Sequence, residues 1–144
     1  MKKEIKLIAL SAILTCAFAV KAADLLLFVD KGSDHVFLGC FSCDQYDRSS
    51  IWNTYGEYGS QYSQKSIWNE YGDFGSEYSD YSPWNEYSSK LPPVLVDRTG
   101  KFYGYFTCNR YKDKRVSAKL MDFLCDNLEK IREDPGRFHE KYFE

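Results

Sequence analysis

Tryptophan recurs at positions 52, 68 and 84, sixteen residues apart each time, and every copy opens the same phrase. Ser50-Ile51-Trp52-Asn53-Thr54-Tyr55-Gly56-Glu57-Tyr58-Gly59-Ser60-Gln61-Tyr62-Ser63 is repeated from Ser66 to Ser79, with Phe74 in the place of Tyr58. Ser82-Pro83-Trp84-Asn85-Glu86-Tyr87-Ser88 is a third, shortened copy, and Tyr46 and Cys43 stand sixteen residues before Tyr62 and Gly59, so a degraded half-copy precedes the first. A fixed period of this kind means one structural unit stacked on itself, because a unit so short cannot bury its own apolar side.

Serine ahead of Ile-Trp-Asn is an N-cap residue in the right place, and Gly56 and Gly72 stand where a helical turn would stop. Each copy therefore predicts one helical turn, a reversal at Tyr58-Gly59-Ser60, and a second turn around Tyr62. Trp52, Tyr55, Tyr58 and Tyr62 would then fall near one side and stack, aromatic on aromatic, in a small solenoid. Asn53, Asn69 and Asn85 share a phase and predict a ladder that satisfies turn backbone groups. One short strand per copy is the alternative, to which the glycines and serines are less suited.

The ends of the chain set the compartment. Lys2, Lys3 and Lys6 precede an uncharged, mostly apolar run from Leu7 to Val20, and Val20-Lys21-Ala22 offers small residues for cleavage. Residues 1–22 read as a signal peptide, too short to span a bilayer; lipidation at Cys16 is disfavoured because the apolar run continues past it. The expected location is secreted or periplasmic, with 23–144 as a single exported domain. The chain's net charge is −2, and losing Lys2, Lys3, Lys6 and Lys21 with Glu4 removes three positive charges and leaves −5. Residues 44–88 hold eight acidic residues against Arg48 and Lys65, the wrong sign for nucleic acid. No later run is long and apolar enough to cross a membrane.

Around the repeat block at about 44–90, Leu25–Val29 and His35–Gly39 flank a Lys31-Gly32-Ser33-Asp34 turn and predict a hairpin with both strands largely buried. Val94-Leu95-Val96 and Phe102–Phe106 flank Asp97-Arg98-Thr99-Gly100 and predict a second. A basic loop from Arg110 to Arg115 reads as a solvated connection, or as a contact with an anionic envelope surface. Val116, Leu120, Phe123, Leu124, Leu128 and Ile131 recur at helical spacing, so a helix is expected over about 117–133 with Ser117 as N-cap, stopped by Pro135-Gly136 and followed by a loose tail. The fold class is α+β: two hairpins and a C-terminal helix around an aromatic repeat insert.

Four cysteines follow the leader, Cys40, Cys43, Cys108 and Cys125, and an even number in an exported chain favours disulfides over a zinc site. The spacing alone leaves three connectivities open; the expected pairing is Cys108 with Cys125 and Cys40 with Cys43.

Gly39-Cys40-x-x-Cys43, Tyr46-Asp47, the two full repeat units, Ser82-Pro83-Trp84-Asn85 and Val96-Asp97…Gly100-Lys101-Phe102-Tyr103-Gly104-Tyr105 together resemble a group of small exported bacterial proteins carrying the same repeat. The resemblance covers roughly residues 36–109; it implies export and a domain identity and brings no activity with it.

Three functional readings follow. Tryptophan and tyrosine rings on a polar scaffold suit a glycan or protein contact surface, made from Trp52, Tyr58, Tyr62, Trp68, Phe74, Tyr78 and Trp84; the same rings are equally the core of a domain short of aliphatic residues, the tryptophans more so than the tyrosines. Cys40-x-x-Cys43 after an apolar strand, with Pro93–Lys101 beyond it, resembles a thioredoxin-like redox pair, although activation would require a helix N-terminus or a cation beside Cys40. A structural envelope protein is the third. Glu57 and Asp73 share a phase but lack the alternating oxygen ligands of a calcium loop, and neither His35 nor His139 has a nucleophile to serve. The expectation is a non-catalytic module with no metal, no cofactor and no nucleic-acid partner.

Overall fold

The computed structural model describes residues 23–144; the leader expected at 1–22 lies outside the described residues. Four strands, β1 (Leu26–Lys31), β2 (Asp34–Cys40), β3 (Val94–Val96) and β4 (Phe102–Tyr105), form one antiparallel sheet in the order β2-β1-β3-β4. Both expected hairpins are present, and β1–β3 pairing fuses them. The fold is α+β. Burial in β1 alternates, Leu27 and Val29 facing inward, and β2 starts exposed at Asp34 and His35 and becomes buried only from Leu38, so the first hairpin covers the core with one face rather than lying buried on both. Asp97 nucleates the second turn: its Oδ1 accepts from Thr99 N, Thr99 Oγ1 and Lys101 N, and its Oδ2 accepts from Tyr103 Oη. The Thr99 hydroxyl, seconded by the other donors, holds this carboxyl below the ordinary aspartate value.

Between the hairpins the repeat block contains neither helix nor strand. Backbone bonds link Ser50, Asn53, Gly56, Ser60, Ser63, Ser66, Asn69, Gly72, Ser76, Ser79 and Ser82 in sequence, each N–H to the carbonyl of the one before. The steps are three residues, with a four-residue step at Gly56–Ser60 and Gly72–Ser76, so each sixteen-residue copy is five successive turns. The expected helical turn with a reversal is thereby corrected. Gly59 and Gly75 carry the longer step because each backbone passes against the Asn53 or Asn69 peptide, where a Cβ would collide with the carbonyl.

The copies stack through their tryptophans. Trp68 Nε1 donates to Ile51 O at 2.6 Å, Trp84 Nε1 to Ile67 O, and Trp52 Nε1 to Phe41 O at 2.7 Å in the half-copy. The indole centroids lie 5.5 Å (Trp52–Trp68) and 5.2 Å (Trp68–Trp84) apart. Leu27, Leu38, Ile51, Ile67, Leu95, Phe106, Met121, Leu124 and Ile131 complete one core around this column.

The C-terminal third departs from expectation in three places. The single helix divides into α1 (Ala118–Asp126) and α2 (Leu128–Glu133). Asn127 makes the break, its Nδ2 and its N–H both donating to the Phe123 carbonyl. Pro135 starts a helix instead of ending the chain's order: α3 (Pro135–Phe143) begins with proline in its first turn behind Asp134, whose side chain accepts from Arg137 N. The tail is therefore docked, with Phe138, His139 and Phe143 against Trp52. Finally, the basic loop is not all solvated. Arg115 is half-buried, its Nε donating to Thr107 O and its Nη2 to Asp122 Oδ1.

Both disulfides have the expected pairing, Cys40–Cys43 and Cys108–Cys125. The second ties α1 to the segment after β4; closing a span of that length removes about 3 kcal/mol of entropy from the unfolded chain. Among the described residues no helix is long and apolar enough to cross a membrane.

Burial beside Trp52 lowers the His139 pKa below the ordinary 6.5, against the opposing pull of the Glu144 and Asp44 carboxylates. The Nδ1 atom lies 3.4 Å from Glu144 Oε1 but in a geometry that makes no hydrogen bond. The unfolded chain therefore takes up this proton first, so stability is full above the ordinary value and declines as pH falls through it toward the folded value. Thermal melts between about pH 7.5 and about pH 5.5 should show this decline, and His139→Gln should flatten it; an unchanged slope in the variant would show another group to be responsible.

Candidate functional site

Apart from the four-residue steps at Gly56 and Gly72, each turn in the two full copies is closed a second time by a side chain. Asp44 Oδ1 accepts from Tyr46 N, Asn53 Oδ1 from Tyr55 N, Ser60 Oγ from Tyr62 N, Asn69 Oδ1 from Tyr71 N, Ser76 Oγ from Tyr78 N, and Asn85 Oδ1 from Tyr87 N. Short polar side chains that accept from the N–H two residues on are turn formers of this type. Ser50, Ser66 and Ser82 do the same for Trp52, Trp68 and Trp84. One local chemistry thus directs tryptophan inward at one phase and tyrosine outward at two others. The asparagines also reach back to the preceding copy: Nδ2 of Asn53, Asn69 and Asn85 donates to the carbonyls of Asp47, Ser63 and Ser79.

The outward rings form two files with the sixteen-residue period, Tyr46–Tyr62–Tyr78 and Tyr55–Tyr71–Tyr87. All six are between 82% and 97% exposed, an exposure that leaves both ring faces free. Beyond the last copy, Asn109 Oδ1 accepts from Tyr111 N and its Nδ2 reaches Ser88 O. Cys108-Asn109-Arg110-Tyr111 thereby repeats the local geometry of Trp84-Asn85-Glu86-Tyr87, and Tyr111 is 95% exposed.

Of the seven ring residues expected at a contact surface, Trp52, Trp68 and Trp84 form the core column and Phe74 is also buried. Tyr58 is half-buried, its ring 5.0 Å from that of Phe37 on β2. These five are removed from the surface because their phases turn toward the sheet or the stack axis. Tyr62 and Tyr78 remain. Tyr46, Tyr55, Tyr71, Tyr87 and Tyr111 join them, and the signal that finds them is the short motif of Asp, Ser or Asn followed two residues later by Tyr.

Pairs of tyrosines, one from each file, flank three equivalent clefts of about 400, 350 and 410 Å³. The first lies between Tyr46 and Tyr55 over Asn53, the second between Tyr62 and Tyr71 over Asn69, and the third between Tyr78 and Tyr87 over Asn85. The asparagine amides already serve the turns, so a ligand would meet chiefly phenol rings and hydroxyls, the amides of Gln45, Gln61 and Gln64, and carboxylates that include Glu70, Glu86 and Glu77, the last 3.9 Å from Arg132 Nη1. The helices wall two of the clefts. Arg132 of α2 is buried, and its Nη2 donates to Gly75 O at 2.9 Å while Nη1 donates to Glu129 Oε1 at 2.7 Å. Asp134 and Arg137 close the first cleft, and Thr54 Oγ1 ties the repeat to the helices through Asp134 Oδ1 and Gly136 N.

On the other flank of the stack the shared-phase carboxylates are engaged, Glu57 with Lys65 at 3.2 Å and Asp73 with Lys31 at 2.5 Å. The Cys40–Cys43 pair is buried at the end of β2, and Asp24 is the acidic side chain that approaches it; with both thiols in a disulfide this trio offers no thiolate ligands. No family model, no curated protein and no solved structure matches this chain.

Proposed function

We propose that this chain is an exported, non-catalytic binding module whose contact surface is the two-file tyrosine face, with an extended glycan or protein as ligand. The observation that carries the reading is the set of six tyrosines left almost wholly in water on a scaffold whose other repeat aromatics are buried or half-buried. Phenol rings bring large contact area at low entropy cost, and surfaces built from Tyr, Ser, Gly and Asn are typical of adaptable recognition. Three clefts of one design favour a ligand that is itself repetitive, because successive contacts then share a single ordering cost. The two disulfides support an oxidising compartment, in keeping with residues 1–22 as a signal peptide.

Tyr62→Ala and Tyr78→Ala test this reading. Each should leave stability within about 1 kcal/mol, because neither ring packs against the core. Together they should cut retention on a glycan or envelope-fraction array. Unchanged retention with both rings gone would refute the contact surface.

A further inference from the structure

We infer that the tyrosine-lined clefts take an extended polypeptide segment bearing lysine or arginine, its cationic heads seated between the rings and the carboxylates of the second and third copies. The inference rests on the reading of the tyrosine face as the contact surface and specifies the ligand's charge and class.

The opposite flank of the stack already holds one such head. Lys31 Nζ lies 2.5 Å from Asp73 Oδ2, 5.7 Å from the centroid of Phe74 and 5.5 Å from that of Tyr81. One repeat carboxylate and two repeat rings thus seat an ammonium supplied by β1. Elsewhere the chain sets Lys90 over the same Tyr81, Lys101 over Tyr103 and Lys112 over Tyr105, at 5.6, 5.2 and 4.5 Å. Cation–aromatic contact is the habit of this surface.

The outward clefts have the same parts without the lysine. Tyr62 and Tyr71 share theirs with Glu70; Tyr78 and Tyr87 share theirs with Glu77 and Glu86. Among the described residues no lysine or arginine stands over any of these four rings. Within residues 44–88 the one lysine, Lys65, is paired with Glu57, and the one buried cation at the clefts, Arg132, is held by Glu129 and the Gly75 carbonyl and also lies 3.9 Å from Glu77. Among the described residues no cation is paired with Glu70 or Glu86, so positive charge brought by a ligand would meet both carboxylates unopposed. A peptide fits better than a neutral sugar chain because the occupant of the other flank is itself a lysine side chain. An extended chain also presents its side chains at a regular interval to clefts that recur at a regular interval.

The test uses the disulfide-bonded protein and three immobilised probes: a dodecapeptide of alternating lysine and serine, its glutamine–serine counterpart, and an N-acetylglucosamine hexamer. The lysine peptide should bind and the glutamine peptide should not. Glu70→Gln with Glu86→Gln should weaken binding about tenfold, and added salt should weaken it further by screening. Tyr71→Ala with Tyr87→Ala should weaken it at least as much. If the tyrosine pair matters but the glutamate pair and salt do not, or if the neutral hexamer binds more tightly than the lysine peptide, the inference is overturned while the contact surface stands. Failure of the lysine peptide to bind also overturns it. If the tyrosine pair leaves every probe's binding unchanged, the contact surface falls as well.

Discussion

Replacing Trp68 with alanine should cost about 3–5 kcal/mol, the range for emptying a large aromatic site in a filled core. Trp68 is fully buried between Trp52 and Trp84, so the variant opens a void in the middle of the column rather than at an end. It also leaves the Ile51 carbonyl, which accepts from Trp68 Nε1, without its partner. Trp68→Phe keeps the six-membered ring and loses the pyrrole part of the indole with its donor, so its cost should fall to about 1–3 kcal/mol. Urea unfolding followed by near-ultraviolet circular dichroism separates the two variants. Equal losses would show that the hydrogen bond, and not the column, carries the stacking.

The second large effect comes from atoms that are missing. A Cβ at Gly59 would run into the Asn53 carbonyl and lie 2.8 Å from Asn53 N, and one at Gly75 would do the same to Asn69. The obstacle is backbone belonging to a turn that is itself hydrogen-bonded, so no rotamer change relieves it. Gly59→Ala and Gly75→Ala should each cost about 3 kcal/mol, the top of the usual range for overfilling. Together they approach the whole stability of an ordinary domain, about 5–15 kcal/mol. Gly56→Ala is the control: its nearest neighbours are side-chain atoms of Asn53, 3.0–3.2 Å away, which can give way. A Gly59→Ala protein that melts with the Gly56→Ala protein would contradict the close backbone approach.

Much of this fold was legible in the sequence, and the failures share a cause. The two hairpins announced themselves through apolar runs broken by Gly-bearing turns. The pairing of Cys108 with Cys125 was the one expected among three that the spacing left open. The tryptophan column followed from period alone. What the sixteen-residue period concealed was a period of three within it. A serine hydroxyl that accepts from the N–H two residues on serves an isolated turn as readily as a helix start, so Ser50 and Ser66 read as helix caps although no helix follows. That single substitution of turn for helix misplaced the rings. On a helix Tyr55 and Tyr58 would share a side, but on successive turns Tyr55 points into water and Tyr58 toward Phe37. The exposed tyrosine face was therefore half-read, with Tyr62 and Tyr78 named as contact residues and Tyr46, Tyr55, Tyr71, Tyr87 and Tyr111 not. Pro135 misled in a similar way. Proline is compatible with both an end and a beginning, and only the Asp134 side chain on Arg137 N decides for a beginning.

The stack and the sheet share a length scale. Two ring-to-ring steps of 5.5 and 5.2 Å carry the column from Trp52 to Trp84, and two strand spacings of about 4.8 Å carry the sheet from β2 across β1 to β3. Copy one meets β2 where Ile51 N donates to Cys40 O, copy two meets the end of β1 at Lys31, and copy three meets the chain leaving β4 where Cys108 N donates to Pro83 O. Each copy is thus pinned to a different stretch of the chain in or beside the sheet. A fourth sixteen-residue unit, however well its own turns closed, would need a further stretch to meet before the chain enters β3 at Val94. Lengthening the tyrosine-bearing face would therefore call for a matching extension of the sheet.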